Sequence, residues 1–280
     1  MTPQMSVRKK AAVLAVTSGK GGVGKTNLAI NVSVALARLG HRVAIVDADF
    51  GLGNIDVMLG LTPNAHVGHI LSGEKTLGDV LMEGPRGLSV VPAGSGLQPL
   101  TALTTEQRER LTAAVEQARA SFDFLVLDTA TGISDNVIET LKLAGHVLLM
   151  TSLDPAALVD AYALAKVLWQ ESSTAEIGLV VNGVRDGVEA RLAFRQIDLA
   201  AARFLGHHMH YYGFIPDDPA VRESMLIQRP IVDHLPQSPA ARCFRLLATR
   251  LATLSAGPGG LRLLGSAGST GVVIGVEQCA

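Results

Sequence analysis

The sequence has few cysteines, and this scarcity excludes several kinds of protein. Only two occur among its 280 residues, Cys243 and Cys279. They are widely separated and form no CxxC pair, so the sequence lacks the spacing of a metal or cluster site and the density of a disulfide scaffold. This cysteine usage is typical of a reducing compartment, and we expect the cytoplasm.

Strong net charge and long apolar runs are also missing. The formal net charge is -1 and charged residues make up 18% of the chain, so the overall balance does not attract nucleic acid or anionic lipid. No stretch approaches the roughly 18 apolar residues of a membrane-spanning helix. The first ten residues are polar, and the apolar run that follows is too short for a signal peptide. Any contact with DNA or a membrane must therefore be local.

Short apolar runs are what the sequence has in abundance. Hydrophobic residues make up 48% of it. Runs without polar alternation recur between helical stretches, which indicates strands buried on both faces, as in a parallel sheet covered by helices. The predicted fold class is therefore α/β, a three-layer sandwich with a mostly parallel central sheet. The predicted strands are residues 11–17, 42–49, 88–93, 124–130, 146–152, 177–182 and 211–216.

Helix signals bound the predicted folded domain. A capping box that begins at Thr104 predicts one helix, and Ser238, followed by proline, predicts the start of a last helix. The glycine-rich tail beyond it is expected to be mobile, or to add one strand to another surface. The predicted organisation is a polar segment 1–10, a folded domain 11–255 and the tail 256–280.

The stretch GKGGVGKTN, directly after the first apolar run, carries a phosphate-binding pattern. Residues 19–26 match GxxxxGK[ST] between a buried strand and an amphipathic helix, which is the context that a P-loop requires. Its glycines let backbone N–H groups turn toward one anion, and the helix N-terminus adds its positive dipole end. Lys25 would meet the β and γ phosphate oxygens, and Thr26 would place its hydroxyl on Mg²⁺. The predicted nucleotide-binding residues are Gly19, Gly21, Gly22, Val23, Gly24, Lys25, Thr26 and Asn27.

Carboxylates end two other predicted strands. Asp47 and Asp49 end the second run and Asp128 closes the run FLVLD, at the carboxyl ends of strands where α/β folds bind ligands. One carboxylate beside a phosphate can orient the attacking water, and another can hold Mg²⁺. Asp128 fits a Walker B aspartate that anchors Mg²⁺ beside the P-loop. The alternative for a single strand-end aspartate is a helix cap or turn.

The loop also contains a second lysine, Lys20, which phosphate binding alone does not require. The segment KGGVGKT resembles the deviant Walker A motif of the MinD and ParA family of dimerising ATPases. The resemblance implies that Lys20 reaches across a dimer interface to the partner's nucleotide, as an arginine finger does elsewhere. It also implies that Asp49 orients water, that Asp47 lies in the outer shell of Mg²⁺, and that residues 129–136 are a switch. Lys20, Lys25 and Asp49 are thus the predicted catalytic residues; a solvated turn lysine is the alternative for Lys20.

The predicted nucleobase is adenine. A guanine reader of the NKxD type needs lysine and aspartate after Asn182, but glycine, valine and arginine follow it. By the same resemblance, Asn182 and the segment Pro216, Asp217 and Asp218 match two adenine-contacting loops. Plain turns at both places are the alternative. The expected ligands are therefore ATP and Mg²⁺.

Four further stretches resemble the flagellar-number regulators FlhG and FleN within this family. The resemblance implies an ATP-dependent homodimer that controls the number and placement of flagella. It implies as partners an enhancer-binding transcription activator of the FleQ type and the GTPase FlhF. Binding to the inner face of the membrane or the cell pole stays open, because no C-terminal amphipathic helix is evident. The four stretches are residues 51–61, 90–98, 158–168 and 227–248.

Other functions on the same fold stay open. A ParA-type segregation ATPase would bind DNA through a basic patch, although the near-zero net charge favours solvated arginines, and no sequence-specific nucleic-acid partner is expected. A MinD-type ATPase that selects the division site would use the same motifs. A redox protein would need clustered cysteines at the dimer face, and a small-molecule ligase stays open. The basic candidates are Arg242, Arg245, Arg250 and Arg262.

Overall fold

A computed structural model describes residues 10–94 and 103–256, and these form three layers around one sheet. The strands are β1 (Ala12–Thr17), β2 (Val43–Ala48), β3 (Met82–Glu83), β4 (Ser89–Val91), β5 (Phe124–Thr129), β6 (His146–Ser152), β7 (Glu176–Val184) and β8 (His210–Pro216). Their order across the sheet is β3-β4-β2-β5-β1-β6-β7-β8, and every pair is parallel except β3 with β4. The predicted α/β sandwich with a mostly parallel sheet is confirmed.

Helices cover both faces of this sheet. They are α1 (Lys25–Arg38), α2 (Ile55–Met58), α3 (Val67–Ser72), α4 (Leu77–Val80), α5 (Thr105–Ser121), α6 (Asp135–Lys142), α7 (Pro155–Glu171), α8 (Gly187–Leu205), α9 (Pro219–Leu226), α10 (Ile231–His234) and α11 (Pro239–Ala252), with 3₁₀ turns at Pro85–Gly87 and Thr253–Ala256. Segments 1–9 and 257–280 lie outside the described residues. They contain nearly all of the predicted polar segment and tail, including Arg262.

The handedness of the crossovers decides which face each helix covers. From β4 onward the chain moves in one direction across the sheet, so right-handed connections place α5 to α8 on one face. The step from β1 to β2 runs in the opposite direction and places α1 on the other face, where α10 and α11 pack against it. Because these strands run parallel, the carboxyl ends of β1, β2, β5, β6 and β7 lie at the same edge of the sheet.

The local sequence signals account for most of these elements. Every residue of β2 and β5 is buried, as continuous apolar runs predict for central strands. Thr104 and Ser238 cap α5 and α11 as expected, their side chains accepting hydrogen bonds from the backbone N–H groups of Gln107 and Ala241. The antiparallel edge strand β3 was not predicted, because two residues are too short to show periodicity.

The pairing of β7 with β8 contains a bulge that depends on one glycine. Leu179 pairs with Tyr211 and Val180 with Gly213, so Tyr212 is an extra residue on β8. The Tyr212 ring is buried over Gly178, where a Cβ atom would lie 1.8 Å from the ring carbon Cδ2. Only glycine therefore fits at position 178 beneath this ring.

We expect Gly178→Ala to lower the free energy of unfolding by about 1–3 kcal/mol, the usual range for overpacking a filled core. For a chain of this size, about 2–4 °C of melting temperature corresponds to each kcal/mol. The matched control is Gly145→Ala, whose Cβ would meet its nearest atom, the Val13 carbonyl oxygen, at 4.0 Å. Thermal unfolding followed by circular dichroism tests this. Equal losses in both variants, or an undiminished loss in a Tyr212→Leu background, would contradict the steric explanation.

Candidate functional site

The glycine-rich loop between β1 and α1 has the backbone conformation of an anion-binding loop. Gly22 and Gly24 have φ values of +77° and +98°, which favour glycine. Gly24 is the N-cap of α1, and no side chain caps this helix, so the N–H groups of its first turn stay open. Open N–H groups at a helix N-terminus, together with the helix dipole, favour a bound anion.

Two contacts fix this loop between β7 and α7. A Cβ atom on Gly19 would lie 2.3 Å from the backbone carbonyl carbon of Asp160, so only glycine allows the close approach to α7. The Asn182 side-chain amide, near the end of β7, donates to the Val23 carbonyl at 2.8 Å. The same amide would lie 2.8 Å from a Cβ on Gly24. The glycines are thus required by packing as well as by conformation.

A buried ion pair joins the loop to β5. The Lys25 ammonium lies 2.8 Å from Asp128 Oδ1 and 3.3 Å from the Thr26 hydroxyl, and the Lys25 and Asp128 side chains are 9% and 2% exposed. Burial raises the pKa of Asp128 above its ordinary value, and the charge and hydrogen bond of Lys25 act in the opposite direction. Lys25 is therefore the group that makes an ionised Asp128 tolerable at this depth.

A second buried carboxylate lies beside this pair. Asp47 on β2 is in register with Asp128 on β5, and it is fully buried. Its oxygens accept hydrogen bonds from the N–H groups of Asp49 (3.2 Å) and Ile55 (3.1 Å). Burial, followed by the charge of Asp128, raises the pKa of Asp47 to about 7. Two carboxylates therefore share the neighbourhood of one ammonium, and oxygen donors with excess negative charge are what a divalent cation requires.

Asp49 lies just past the end of β2 and is only partly buried. Its carboxylate accepts a hydrogen bond from the Leu52 N–H at 3.2 Å, and its carbonyl accepts one from the Gly53 N–H at 2.9 Å. Gly53 in turn packs on Asp47, since its Cβ would lie 2.5 Å from Asp47 Oδ2. The turn after β2 thus holds Asp49 at the rim and Asp47 beneath it.

The segment after β5 is tied to the start of the loop. The Gly132 N–H donates to the Ser18 carbonyl at 3.0 Å, and the Thr129 hydroxyl donates to the Thr17 hydroxyl at 3.0 Å. The predicted switch, residues 129–136, therefore begins in direct contact with the strand that leads into the loop.

Lys20 makes a contact that the sequence did not predict. Its ammonium lies 2.5 Å from Asp154 Oδ2, and the two side chains are 38% and 47% exposed. Asp154 is the N-cap of α7, where it also accepts from the Ala156 N–H, and the hydrogen bond from Lys20 is the main cause that lowers the pKa of Asp154. An aspartate before Pro155 predicts a helix start, but no local signal pairs it with a lysine 134 positions away.

An open cleft of about 390 Å³ lies over this ion pair. It lies where the loop meets the ends of β6 and β7. The cleft thus brings together predicted residues of the loop and Asn182 of the predicted adenine site. Four lining residues were not predicted: three at and just after the end of β6, and Gly183 on β7. Its lining is Lys20, Gly21, Gly22, Val23, Ser152, Leu153, Asp154, Asn182 and Gly183.

The predicted segment Pro216 to Asp218 lies at the neighbouring strand end. The Asp217 N–H donates to the Val184 carbonyl at 2.9 Å, which places the segment beside the end of β7. The Asp218 carboxylate accepts from the N–H groups of Ala220 and Ala240, each at 3.0 Å, so it caps α9 and holds the start of α11. Asp218 therefore has a structural role that the sequence did not reveal.

Residues 10–94 and 103–256 lack two other kinds of site. Among these residues there is no group of three or more His, Cys, Asp or Glu side chains placed to hold a metal ion. No helix in the same ranges is long and apolar enough to span a membrane.

Comparisons with known proteins agree with this geometry. A family model described as ParA, NUBPL iron-transfer P-loop NTPase, matches residues 9–252. The chain is 39% identical over 248 residues to the antiactivator FleN of Pseudomonas aeruginosa (89% of each chain), and 30% identical over 245 residues to the flagellum site-determining protein YlxH of Helicobacter pylori (86% of this chain, 83% of that protein).

Two solved structures share its fold. The cell division ATPase MinD of Pyrococcus furiosus gives a TM-score of 0.72 at 26% identity, covering 87% of this chain and 99% of that one. The MinC:MinD cell division complex of Aquifex aeolicus gives 0.70 at 26% identity, covering 86% and 95%.

We expect Asp47→Asn to change how stability depends on pH. Between about pH 4 and pH 7 the folded chain keeps a proton on Asp47 that the unfolded chain has lost, so the parent's free energy of unfolding falls as pH rises. Asparagine does not titrate. The difference in melting temperature, Asp47→Asn minus parent, should therefore be several degrees larger at pH 8 than at pH 5. Each unit of pKa shift is worth about 1.4 kcal/mol. Melting curves in EDTA test this; a pH-independent difference would contradict it.

Proposed function

Because the chain belongs to the ParA/MinD family of P-loop NTPases and, within it, to the FlhG/FleN subfamily, we propose that it is an ATP-driven dimerising switch that controls flagellar number and placement. The observation that carries the proposal is the pair of lysines in one loop, Lys25 buried on Asp128 and Lys20 exposed on Asp154. ATP brings two chains together, and slow hydrolysis separates them. The switch requires ATP to bind the dimer better than the monomer.

The loop and Lys25 bind the triphosphate in this proposal. The open N–H groups at the start of α1 and the Lys25 ammonium face the β and γ phosphates, and Asn182 with Pro216 and Asp217 contacts adenine. Thr26 and Asp128 would hold Mg²⁺, with Asp47 in its outer shell, and the buried carboxylates in register fit a divalent ion. When bound, Mg²⁺ neutralises charge on the β and γ phosphate oxygens.

Asp49 acts on the attacking water. It is only partly buried, and its turn is fixed through Leu52 and Gly53, so a carboxylate oxygen is held at the rim of the site. It accepts a hydrogen bond from the water and orients the lone pair toward the γ phosphate. Asp47, which lies two residues earlier on β2, is too deeply buried for this role.

Lys20 completes the site of the other subunit. In one chain it forms an ion pair with Asp154 that is exposed to solvent, and such pairs contribute little to stability. Exchange of this carboxylate for the partner subunit's phosphates replaces a screened contact by stronger charge-assisted hydrogen bonds. In a single chain Lys20 therefore pairs with Asp154. The phosphates of a nucleotide bound to a second chain compete with Asp154 for the Lys20 ammonium.

The relatives suggest the biological output. FleN is named an antiactivator and YlxH a flagellum site-determining protein. We therefore assign to this chain a flagellar enhancer-binding transcription activator of the FleQ type as its first partner and the GTPase FlhF as its second. The cytoplasm is its site of action, with the inner membrane face or the cell pole as places where the dimer docks.

The geometry of α11 weighs against the DNA-segregation alternative. The Arg250 guanidinium donates to the Tyr212 carbonyl at 2.6 Å, and Arg245 donates to the Pro236 carbonyl. Two of the candidate arginines are therefore engaged within the domain. A division-site role uses the same ATP site, so only the partner separates it from the flagellar role.

We expect Lys20→Ala to keep ATP binding within about threefold of the parent and to lose at least about 1,000-fold of dimer-stimulated turnover, the lower end of what a charge supplied in trans contributes. Specific ATPase activity measured against protein concentration tests this, because the parent's activity should rise with concentration and the variant's should not. Lys10→Ala, which removes another exposed lysine in an ion pair, is the matched control. Unchanged turnover at every concentration would reject the shared site.

We expect Asp49→Ala to form an ATP-loaded dimer that persists, because ATP still binds but water is not oriented. Size-exclusion chromatography with light scattering in ATP and Mg²⁺ measures it, with ADP as the control. A variant that hydrolyses ATP at the parental rate would remove Asp49 from the mechanism.

The same trapped dimer tests the biological role. A purified flagellar activator retained by it in ATP but not in ADP supports the flagellar assignment. Retention of DNA alone, with affinity that falls steeply as salt rises, would instead identify a segregation ATPase.

A further inference from the structure

Helix α8 exposes an apolar face that the ATP site does not use. Its inner face packs on β7 and β8 through the buried residues Ala190, Ala193, Ile197 and Ala201. Its outer face presents Val188, Leu192 and Leu199, which are 61%, 62% and 68% exposed. Single exposed apolar residues are ordinary, but three on one side of one helix form a continuous surface.

Arginines complete this outer face. Val188, Leu192, Arg195, Leu199 and Arg203 follow one another at spacings of four, three, four and four, so they lie along one line on the helix. Fifteen residues at 1.5 Å each give this stripe a length of about 22 Å. We call these five residues the α8 stripe. At its end the Arg203 guanidinium lies 5.2 Å from the centre of the exposed Phe204 ring.

The charge of the α8 stripe is not balanced by the helix itself. Within the described ranges, neither Arg195 nor Arg203 forms an ion pair. The acidic residues of α8 are directed elsewhere: Glu189 forms an ion pair with Arg185 at 3.2 Å, and Asp198 contacts the His208 ring at 3.2 Å and accepts from the Met209 N–H at 2.8 Å. The stripe is therefore apolar with uncompensated positive charge.

We propose that the α8 stripe is the docking surface for an acidic amphipathic helix of a partner protein. A helix that lies along α8 would place leucine-like side chains against Leu192 and Leu199 and carboxylates against Arg195 and Arg203. About four turns of such a helix match the 22 Å length. Complementary charge selects an acidic segment over a basic one of equal hydrophobicity.

The position of the stripe disfavours a second copy of this chain as the occupant. The phosphate loop opens at the carboxyl edge of the sheet, whereas α8 runs along the flank, over β7 and β8. Two chains that face each other through Lys20 leave the flank uncovered. A membrane surface is also disfavoured, because the α8 stripe itself contains three apolar side chains and the acidic Glu189 and Asp198 lie on the same helix.

Two labelled synthetic peptides test the proposal on the full chain. One is an 18-residue amphipathic peptide with leucines on one face and glutamates beside them; the other has lysine at each glutamate position. Fluorescence anisotropy should show at least tenfold tighter binding of the acidic peptide. Leu192→Ser with Leu199→Ser should reduce this affinity at least tenfold. Arg195→Glu with Arg203→Glu should reverse the peptide preference, which loss of folding would not do.

The controls separate this surface from the ATP site and from other occupants. Leu39→Ser removes an apolar side chain that is 50% exposed at the end of α1 and should leave peptide binding unchanged. Basal ATPase activity and melting temperature should also be unchanged in the α8 variants. Equal binding of both peptides, or binding of neither, would overturn the proposal. If the parent sedimented with phosphatidylglycerol vesicles and only the leucine variant did not, the proposal would be overturned and the stripe assigned to a membrane. If the parent self-associated and only the leucine variant did not, the stripe would be assigned to a second copy.

Discussion

The buried contact between Lys25 and Asp128 is the constraint around which the site is organised. It joins the phosphate loop to the neighbouring strand at a depth where an unpaired carboxylate would be costly. One ammonium cannot balance two carboxylates, and burial, together with the negative charge of Asp128, raises the pKa of Asp47 beside the pair. A divalent cation held beside these carboxylates would supply the missing positive charge, so the arrangement of Asp47 and Asp128 around one ammonium suits a cation-bound state.

The two lysines of the loop differ in the medium that surrounds them, and that difference decides their roles. Lys25 is 9% exposed and its partner 2%, so water does not screen the contact and the ammonium stays in place. Lys20 and Asp154 are each more than a third exposed, so their contact is screened and exchangeable. The proposed dimerising switch needs one residue fixed in its own subunit and one that can serve another, and both lysines come from one segment of nine residues.

Local patterns in the sequence predicted the elements but not the contacts between them. Continuous apolar runs marked seven strands, and strand-end aspartates beside a P-loop predicted that Asp47 and Asp128 lie near Lys25. The pairing of Lys20 with Asp154, the approach of Gly19 to Asp160 and the Tyr212 ring over Gly178 each depend on how distant segments pack, which no local spacing encodes. Asp218 illustrates the same limit: a strand-end aspartate looks like a ligand contact until its helix partners are known.

Strand β7 connects the proposed ATP site to the α8 stripe through a short path. Near its carboxyl end, Asn182 binds the phosphate loop, and four residues later Asp186 caps the helix that carries the stripe. The edge that a second chain would cover and the flank that a partner helix would cover therefore start from the same strand but face different directions. A partner on α8 need not displace a second subunit from the edge, so the proposed dimerisation and the proposed partner binding do not compete for one surface.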